Sequence, residues 1–205
     1  MRIVFATGNA GKLKEIRQIL GSLGLEIISM ADAGISDDIE ENGSSFAENS
    51  MIKARAVAAK LKEADSNDES IVLADDSGLE IDYLNGEPGI YSARYMGKDT
   101  PYSEKNAAII ERLAGVPDDK RTARFVCAIS AVLPDGKELS TRETMEGIIG
   151  YEIAGSNGFG YDPIFFLPEY GKTSAEITED EKNAISHRGK ALRAMERLLK
   201  SEIRL

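Results

Sequence analysis

Two carboxylates stand side by side at Asp75 and Asp76, where the apolar run Ile71-Val72-Leu73-Ala74 ends. Side chains alternate along a strand, so one of the pair can face a ligand while the other takes a structural role. Aspartates also collect at strand ends because they favour turns, so adjacency alone does not say which carboxylate works. Next to a phosphate site, an Asp here would hold Mg²⁺, which takes few carboxylates and keeps several waters. A second acidic pair, Glu40 and Glu41, lies in SDDIEENG, where a solvated charge run is the plainer explanation.

The cations and donors that would complement these acids are spread along the chain. In ATGNAGKLKE, residues 6–15, the run Ile3-Val4-Phe5 leads into Gly8, Gly11 and Lys12. A Walker P-loop needs four residues between its glycines and Ser or Thr after the lysine. Here only Asn9 and Ala10 intervene and Leu13 follows, so the Walker reading fails. Backbone amides at a helix start still suit an anion, with Thr7 and Asn9 as further donors and Lys12 as a mobile cation. Strand–glycine–helix turns also occur without any ligand. Lys53 follows Asn49 by four residues, which places both on one helix face.

His187 is the only histidine, which excludes a multi-histidine metal site, and no serine sits in a G-x-S-x-G elbow. The stretch EKNAISHRGKA puts Lys182, His187 and Arg188 near a helix start, with Ser186 as a cap. A planar His–Arg pair suits the hydrogen-bonding edge of a heterocycle. In GFGYDP, Phe159 and Tyr161 are placed to stack on a base, and Gly160 permits close approach; a tight turn carrying core aromatics is the alternative.

The elements that must position these groups can be read from periodicity. Residues 2–6 and 25–30 read as strands, separated by a helix with Leu13, Ile16, Leu20 and Leu23 on one side and Gly24 as its stop. Ser45 and Glu48 form a capping-box pattern before a helix expected to bury Ala47, Met51, Ala54, Ala58 and Leu61. IVLADDSG reads as a strand ending in a turn, and LEIDYL as a second short strand. Thr100-Pro101 opens a helix with Ala107, Ile110 and Leu113 on its apolar face. TARFVCAISAVL and ELSTRETMEGII, joined by Pro134-Asp135-Gly136, predict a long antiparallel hairpin. A helix with Leu192, Met195 and Leu199 on one side closes the chain. The order predicts an α/β fold in a single domain spanning residues 1–205, with two lobes around a cleft.

Bulk composition narrows the ligand. The 205 residues carry a net charge of −10 and a pI near 4.8, which argues against nonspecific binding of long nucleic acid and leaves a small anion open. One cysteine, Cys127, excludes an internal disulfide; with no secretory signal and no membrane-length apolar run, a reducing, cytoplasmic setting is expected.

Taken together, ATGNAGK (6–12), SFAENSMIKA (45–54), ADDSGL (74–79), GEPGIYSARY (86–95), GFGYDPIFF (158–166) and EKNAISHRGKAL (181–192) closely resemble the inosine triphosphate pyrophosphatases, also called dITP/XTP pyrophosphatases. The motifs span nearly the whole chain in that family's order. The resemblance implies an elongated two-lobed α/β fold with a central mixed sheet flanked by helices, a nucleotide cleft between lobes, and a homodimer. It implies Mg²⁺-dependent hydrolysis of ITP, dITP and XTP to the monophosphate and pyrophosphate. Carried over by position, Thr7, Gly8, Asn9, Ala10, Gly11 and Lys12 bind triphosphate. Asp76 is proton acceptor and metal ligand, with Glu40 as the other metal ligand and Glu41 and Asp75 as second choices. Lys53 neutralises phosphate charge and Ser77 contacts substrate. Phe159, Gly160, Tyr161, Asp162, Lys182, His187 and Arg188 enclose the base. Asn157 stands where the family often has glycine, and the connector 64–70 is longer than in some relatives. Two other functions fit the same residues: a binding protein without turnover, and a pyrophosphatase for modified pyrimidine triphosphates.

Overall fold

The structure is a computed structural model that describes residues 1–7 and 10–203, for Ala10 and Gly11 the backbone alone. Gly8 and Asn9 of the expected phosphate loop lie outside the described residues. The strands are β1 (Arg2–Phe5), β2 (Glu26–Ser29), β3 (Ile71–Ile81), β4 (Thr122–Val132), β5 (Glu138–Ile149), β6 (Phe165–Leu167) and β7 (Lys172–Thr173). The helices are α1 (Ala10–Leu20), α2 (Phe46–Ala64), α3 (Tyr102–Arg112), α4 (Glu179–Ile185) and α5 (His187–Glu202). Among the described residues the strands form one sheet, in the order β2-β1-β3-β4-β5-β6-β7. β1 pairs in parallel with β2 and with β3, as helical crossovers require; β6 pairs antiparallel with both β5 and β7. The sheet is therefore mixed, as the element order predicted.

By internal contacts the chain divides into two compact units. The first comprises residues 1–76, 127–143 and the chain from Gly189 on; the second comprises 77–126 and 144–188. In the first unit, strand alternation sends Ile3, Phe5, Ile71, Leu73, Cys127, Ile129 and Ala131 to one face of the sheet. There they pack with Ile16 and Leu20 of α1 and Leu192, Met195 and Leu199 of α5. Val4, Ala6, Val72 and Ala74 point to the opposite face, against Ala54, Val57 and Leu61 of α2. The second unit has its own core, built on Leu79, Ile81, Ile109, Leu113, Phe125, Ile149, Tyr161, Ile164 and Phe165. Cys127 is a buried free thiol, as its apolar neighbours implied.

Four local readings are corrected. IVLADDSG and LEIDYL are one continuous strand, β3, and Asp75 and Asp76 sit in its middle. Gly78 marks a close approach, not a turn: a Cβ there would fall 2.4 Å from Ser92 Oγ and 2.5 Å from the Gly89 carbonyl oxygen. Ser92 Oγ accepts from the Leu79 amide at 2.9 Å and donates to Gly89 at 2.6 Å, tying the strand to the 3-10 turn Gly89–Arg94. α2 buries Phe46, Asn49, Ser50, Ala54, Val57 and Leu61, whereas Ala47, Met51 and Ala58 are only partly covered. Polar Asn49 and Ser50 enter that face because each finds a polar partner, Asp76 and Ser130. α3 begins one residue later than read, with Pro101 as its N-cap, and it buries Lys105, Asn106 and Ile109 while Ala107 is exposed. Lys105 can be buried because its ammonium donates to the Ala93 carbonyl at 2.8 Å. α4 was not foreseen; its complete capping box, Thr178 with Glu181, was present in the sequence.

Candidate active site

The alternation of β3 settles how the paired acids divide. Asp75 follows Ile71 and Leu73 onto the α1 face, and Asp76 follows Val72 and Ala74 onto the α2 face. Asp75 is 1% exposed, and Lys12 on the first turns of α1 donates to both its oxygens, at 2.9 and 3.1 Å. A buried carboxylate gripped twice by an ammonium has a structural partner; it also holds the lysine beside the start of α1. Thr7 is buried just after β1, and Ala10 and Gly11 open α1.

Asp76 lies in different surroundings. Asn49, fully buried on α2, donates from Nδ2 to Asp76 Oδ2 at 3.1 Å. Burial pushes the Asp76 carboxyl up to about 6 from its ordinary 3.8; Lys53 and the Asn49 hydrogen bond oppose this, while Glu41 and Asp75 add to it. Lys53 is itself 3.1 Å from Glu41 Oε1. Of the acidic pair in the loop before α2, Glu41 thus belongs to the electrostatic environment of Asp76, and Glu40 is exposed. A carboxylate whose proton is retained toward neutral pH is poised to accept one from a weak acid such as water.

The turn carrying Asn49 is well fixed. Glu48 donates its amide to Ser45 Oγ at 3.1 Å, half of the expected capping box. The return arm goes one residue earlier: Glu48 Oε2 accepts from both the amide and the hydroxyl of Ser44, each at 2.6 Å.

The third consecutive residue of β3, Ser77, accepts from Arg188 Nη2 at 3.1 Å. Arg188 and His187 open α5 and are both buried, and the His187 ring stacks on Phe125 with centroids 5.0 Å apart. Phe159 is 54% exposed, with the Arg188 guanidinium 5.7 Å and the Lys182 ammonium 5.6 Å from its ring centre. Its loop is braced by Asp162, which is 3% exposed. One carboxylate oxygen accepts from the Phe159 amide at 2.8 Å and Lys182 at 2.6 Å, and the other from Ser174 Oγ at 2.7 Å. Tyr161 is in the core, edge-on to Tyr102, and its hydroxyl donates to the Ser92 carbonyl. Of the two aromatics in GFGYDP, Phe159 is therefore the ring presented outward.

Sequence reading missed three contributors. Asn49 had been noted only for sharing a helix face with Lys53, Gly43 as part of an acidic loop, and Ser174 not at all. An amide or hydroxyl on a face otherwise reading as core was the available signal.

The sequence profile of the Ham1 family matches residues 3–198. The dITP/XTP pyrophosphatases of Exiguobacterium sibiricum and Clostridium perfringens are each 49% identical over 199 residues, covering 97% of this chain and of each relative. Among solved structures, a Ham1 protein from Staphylococcus aureus superposes with a TM-score of 0.87 at 37% identity, covering 99% of this chain and 100% of that one. A HAM1 protein from Coxiella burnetii gives 0.87 at 40%, covering 98% and 99%.

Proposed function

The chain belongs to the Ham1 family, and from that membership and the site geometry we propose that it hydrolyses deaminated purine nucleoside triphosphates. The substrates are dITP, ITP and XTP, the products are the monophosphate and pyrophosphate, and the effect is to clear these bases from the nucleotide pool. One observation carries the reading beyond family membership. Three successive residues of β3 each take a partner from a different motif: Asp75 from the Lys12 segment, Asp76 from α2, Ser77 from the start of α5.

In this reading Asp76 takes the proton from the attacking water, and Lys53 neutralises charge developing on the phosphates. The start of α1, from Thr7 through Lys12, offers amides and an ammonium to the triphosphate. Release of pyrophosphate demands placement and charge neutralisation more than covalent help, which suits a site built of acids, lysines and amides.

A divalent cation fits the donor set. Asp76 lies in the negative field of Glu41 and Asp75, which a cation would relieve. Among the described residues no three His, Cys, Asp or Glu side chains gather into a metal cage, and Mg²⁺ asks only for one or two carboxylates. Asp76 with Glu40 is our assignment, Glu41 being the alternate. Bound there, Mg²⁺ supplies positive charge to the triphosphate oxygens.

For the base, His187 and Arg188 present donors to a purine 6-oxo group, Phe159 stacks, and Asp162 with Lys182 holds the loop. Adenine carries a 6-amino donor at that edge, leaving donor against donor; such a mismatch discriminates by roughly 10⁴-fold or more. The family resemblance also supports a homodimer working in the cytoplasm as one functional domain. No described helix is long and apolar enough to cross a membrane.

The test is a panel of ITP, dITP, XTP, GTP, ATP and a methylated dUTP with Mg²⁺, products identified by phosphorus NMR. Pyrophosphate should appear from the deaminated purines at least about 100-fold faster than from ATP. Equal rates across the panel, or release of orthophosphate in its place, would refute the proposal.

A further inference from the structure

Asn49 is an unusual residue to find fully buried inside a helix, since asparagine is a poor helix former and its amide must be satisfied on both sides. Both sides are satisfied. Oδ1 accepts from the Gly43 backbone amide at 2.8 Å, and Nδ2 donates to Asp76 Oδ2 at 3.1 Å. A backbone amide can only donate, so the Gly43 contact fixes which end of the side chain is oxygen. The NH₂ group must then face Asp76, a donor meeting a carboxylate.

Gly43 is held as firmly as the amide it anchors. A Cβ on residue 43 would lie 2.8 Å from Asn49 Oδ1 and 2.8 Å from Glu48 Cβ, so only glycine brings its backbone this close. The same turn is locked by Ser44 and Ser45 on Glu48 and by the Asn49 amide on the Ser45 carbonyl at 3.0 Å. A rigid backbone thus orients an amide, and the amide orients one oxygen of the carboxylate.

We infer that Asn49, anchored by Gly43, is a positioning residue that aims the Asp76 carboxylate for its reaction. The inference rests on the proposed hydrolysis, in which Asp76 touches the reacting water. Without the anchor, Asp76 could rotate about χ2 and lose the aim that proton acceptance needs.

Asn49→Leu keeps the branching of the side chain, removes the donor facing Asp76 and adds no charge. Gly43→Ala displaces the anchor without altering either side chain, and decides the matter if Asn49→Leu fails to fold. With unchanged circular dichroism, kcat for pyrophosphate release from ITP should fall about 10–100-fold while KM stays within about threefold. Independently of activity, melting temperatures of Asn49→Leu, Asp76→Asn and the double variant should be non-additive by at least about 2 °C. A kcat within twofold of the wild type, a matching change in KM, or additive melting shifts would overturn the inference while leaving the hydrolysis standing. A wild-type protein that releases no pyrophosphate from any deaminated triphosphate takes down the hydrolysis, and this inference with it.

Discussion

Asp75 and Asp76 are chemically identical neighbours, and the fold makes them different reagents. Folded Asp76 holds its proton to about pH 6, against 3.8 in its ordinary state, because burial opposes its charge. The folded state therefore binds this proton more tightly than the unfolded chain does. Ionised Asp76 costs stability, a cost absent below about pH 4, growing as pH rises to about 6, and constant above that. In the absence of substrate and cation, Asp76→Asn should stabilise the protein at pH 8 by on the order of 1–3 kcal/mol, with little gain at pH 4. Urea unfolding at the two pH values checks this, and an equal effect at both would contradict it. The same variant should lose at least about 10²-fold in kcat. Asp75 differs in having an ammonium on both its oxygens. Lys12→Met strips a buried carboxylate of its ammonium and should destabilise by on the order of 3 kcal/mol, with Asp75→Asn restoring part of the loss. A Lys12→Met protein as stable as the wild type would show that the pair is not structural. None of this division was legible in the letters DD. Alternation said the two differ; only the partners on α1 and α2 said how.

At the scale of elements, the long periodic segments were legible and the short or polar ones were not. β1, α1, the β4–β5 hairpin and α5 follow apolar spacing that few alternative folds would satisfy. β3 was cut in two because Asp-Asp-Ser-Gly reads as a turn in isolation. The sheet overrides that preference, giving the acids partners on both faces and using Gly78 for backbone contact with Ser92. The buried stripe of α2 was misplaced for a related reason: Asn49 and Ser50 count as polar, yet each is satisfied inside. The loop bearing Phe159 shows how closely an element can be drawn around one carboxylate. Gly158 has φ +75°, and a Cβ there would lie 2.3 Å from Asp162 Oδ2 and 2.8 Å from Lys182 Nζ. Gly158→Ala should therefore loosen the Asp162–Lys182 brace, raising KM for ITP about tenfold with a smaller change in kcat, and costing about 1–2 kcal/mol. Steady-state kinetics and a melting curve measure both, and an unchanged KM would mean the brace does not position the base loop.

For the whole molecule, the two units are not successive stretches of chain. β3, β4 and β5 each run from one unit into the other without a break. Disrupting either unit should therefore unravel strands that both require, and calorimetry should show one transition with equal calorimetric and van't Hoff enthalpies. Two resolved transitions would show that the units melt independently. The overall charge of −10 was a sound guide to the size of the ligand but not to its location. Within the first unit Lys12 is held at Asp75 and Lys53 at Glu41, and within the second Lys182 and Arg188 lie beside Phe159.

The interleaving also bears on how the polypeptide is made. Leu192, Met195 and Leu199 of α5 complete the core begun by Ile3 and Phe5 of β1 and joined by Ile16 and Leu20 of α1, so one sheet face stays only partly covered until α5 clears the ribosome. Nascent chains stalled before Gly189 should accordingly expose an oily β-surface, resist proteases poorly throughout and lean on chaperones.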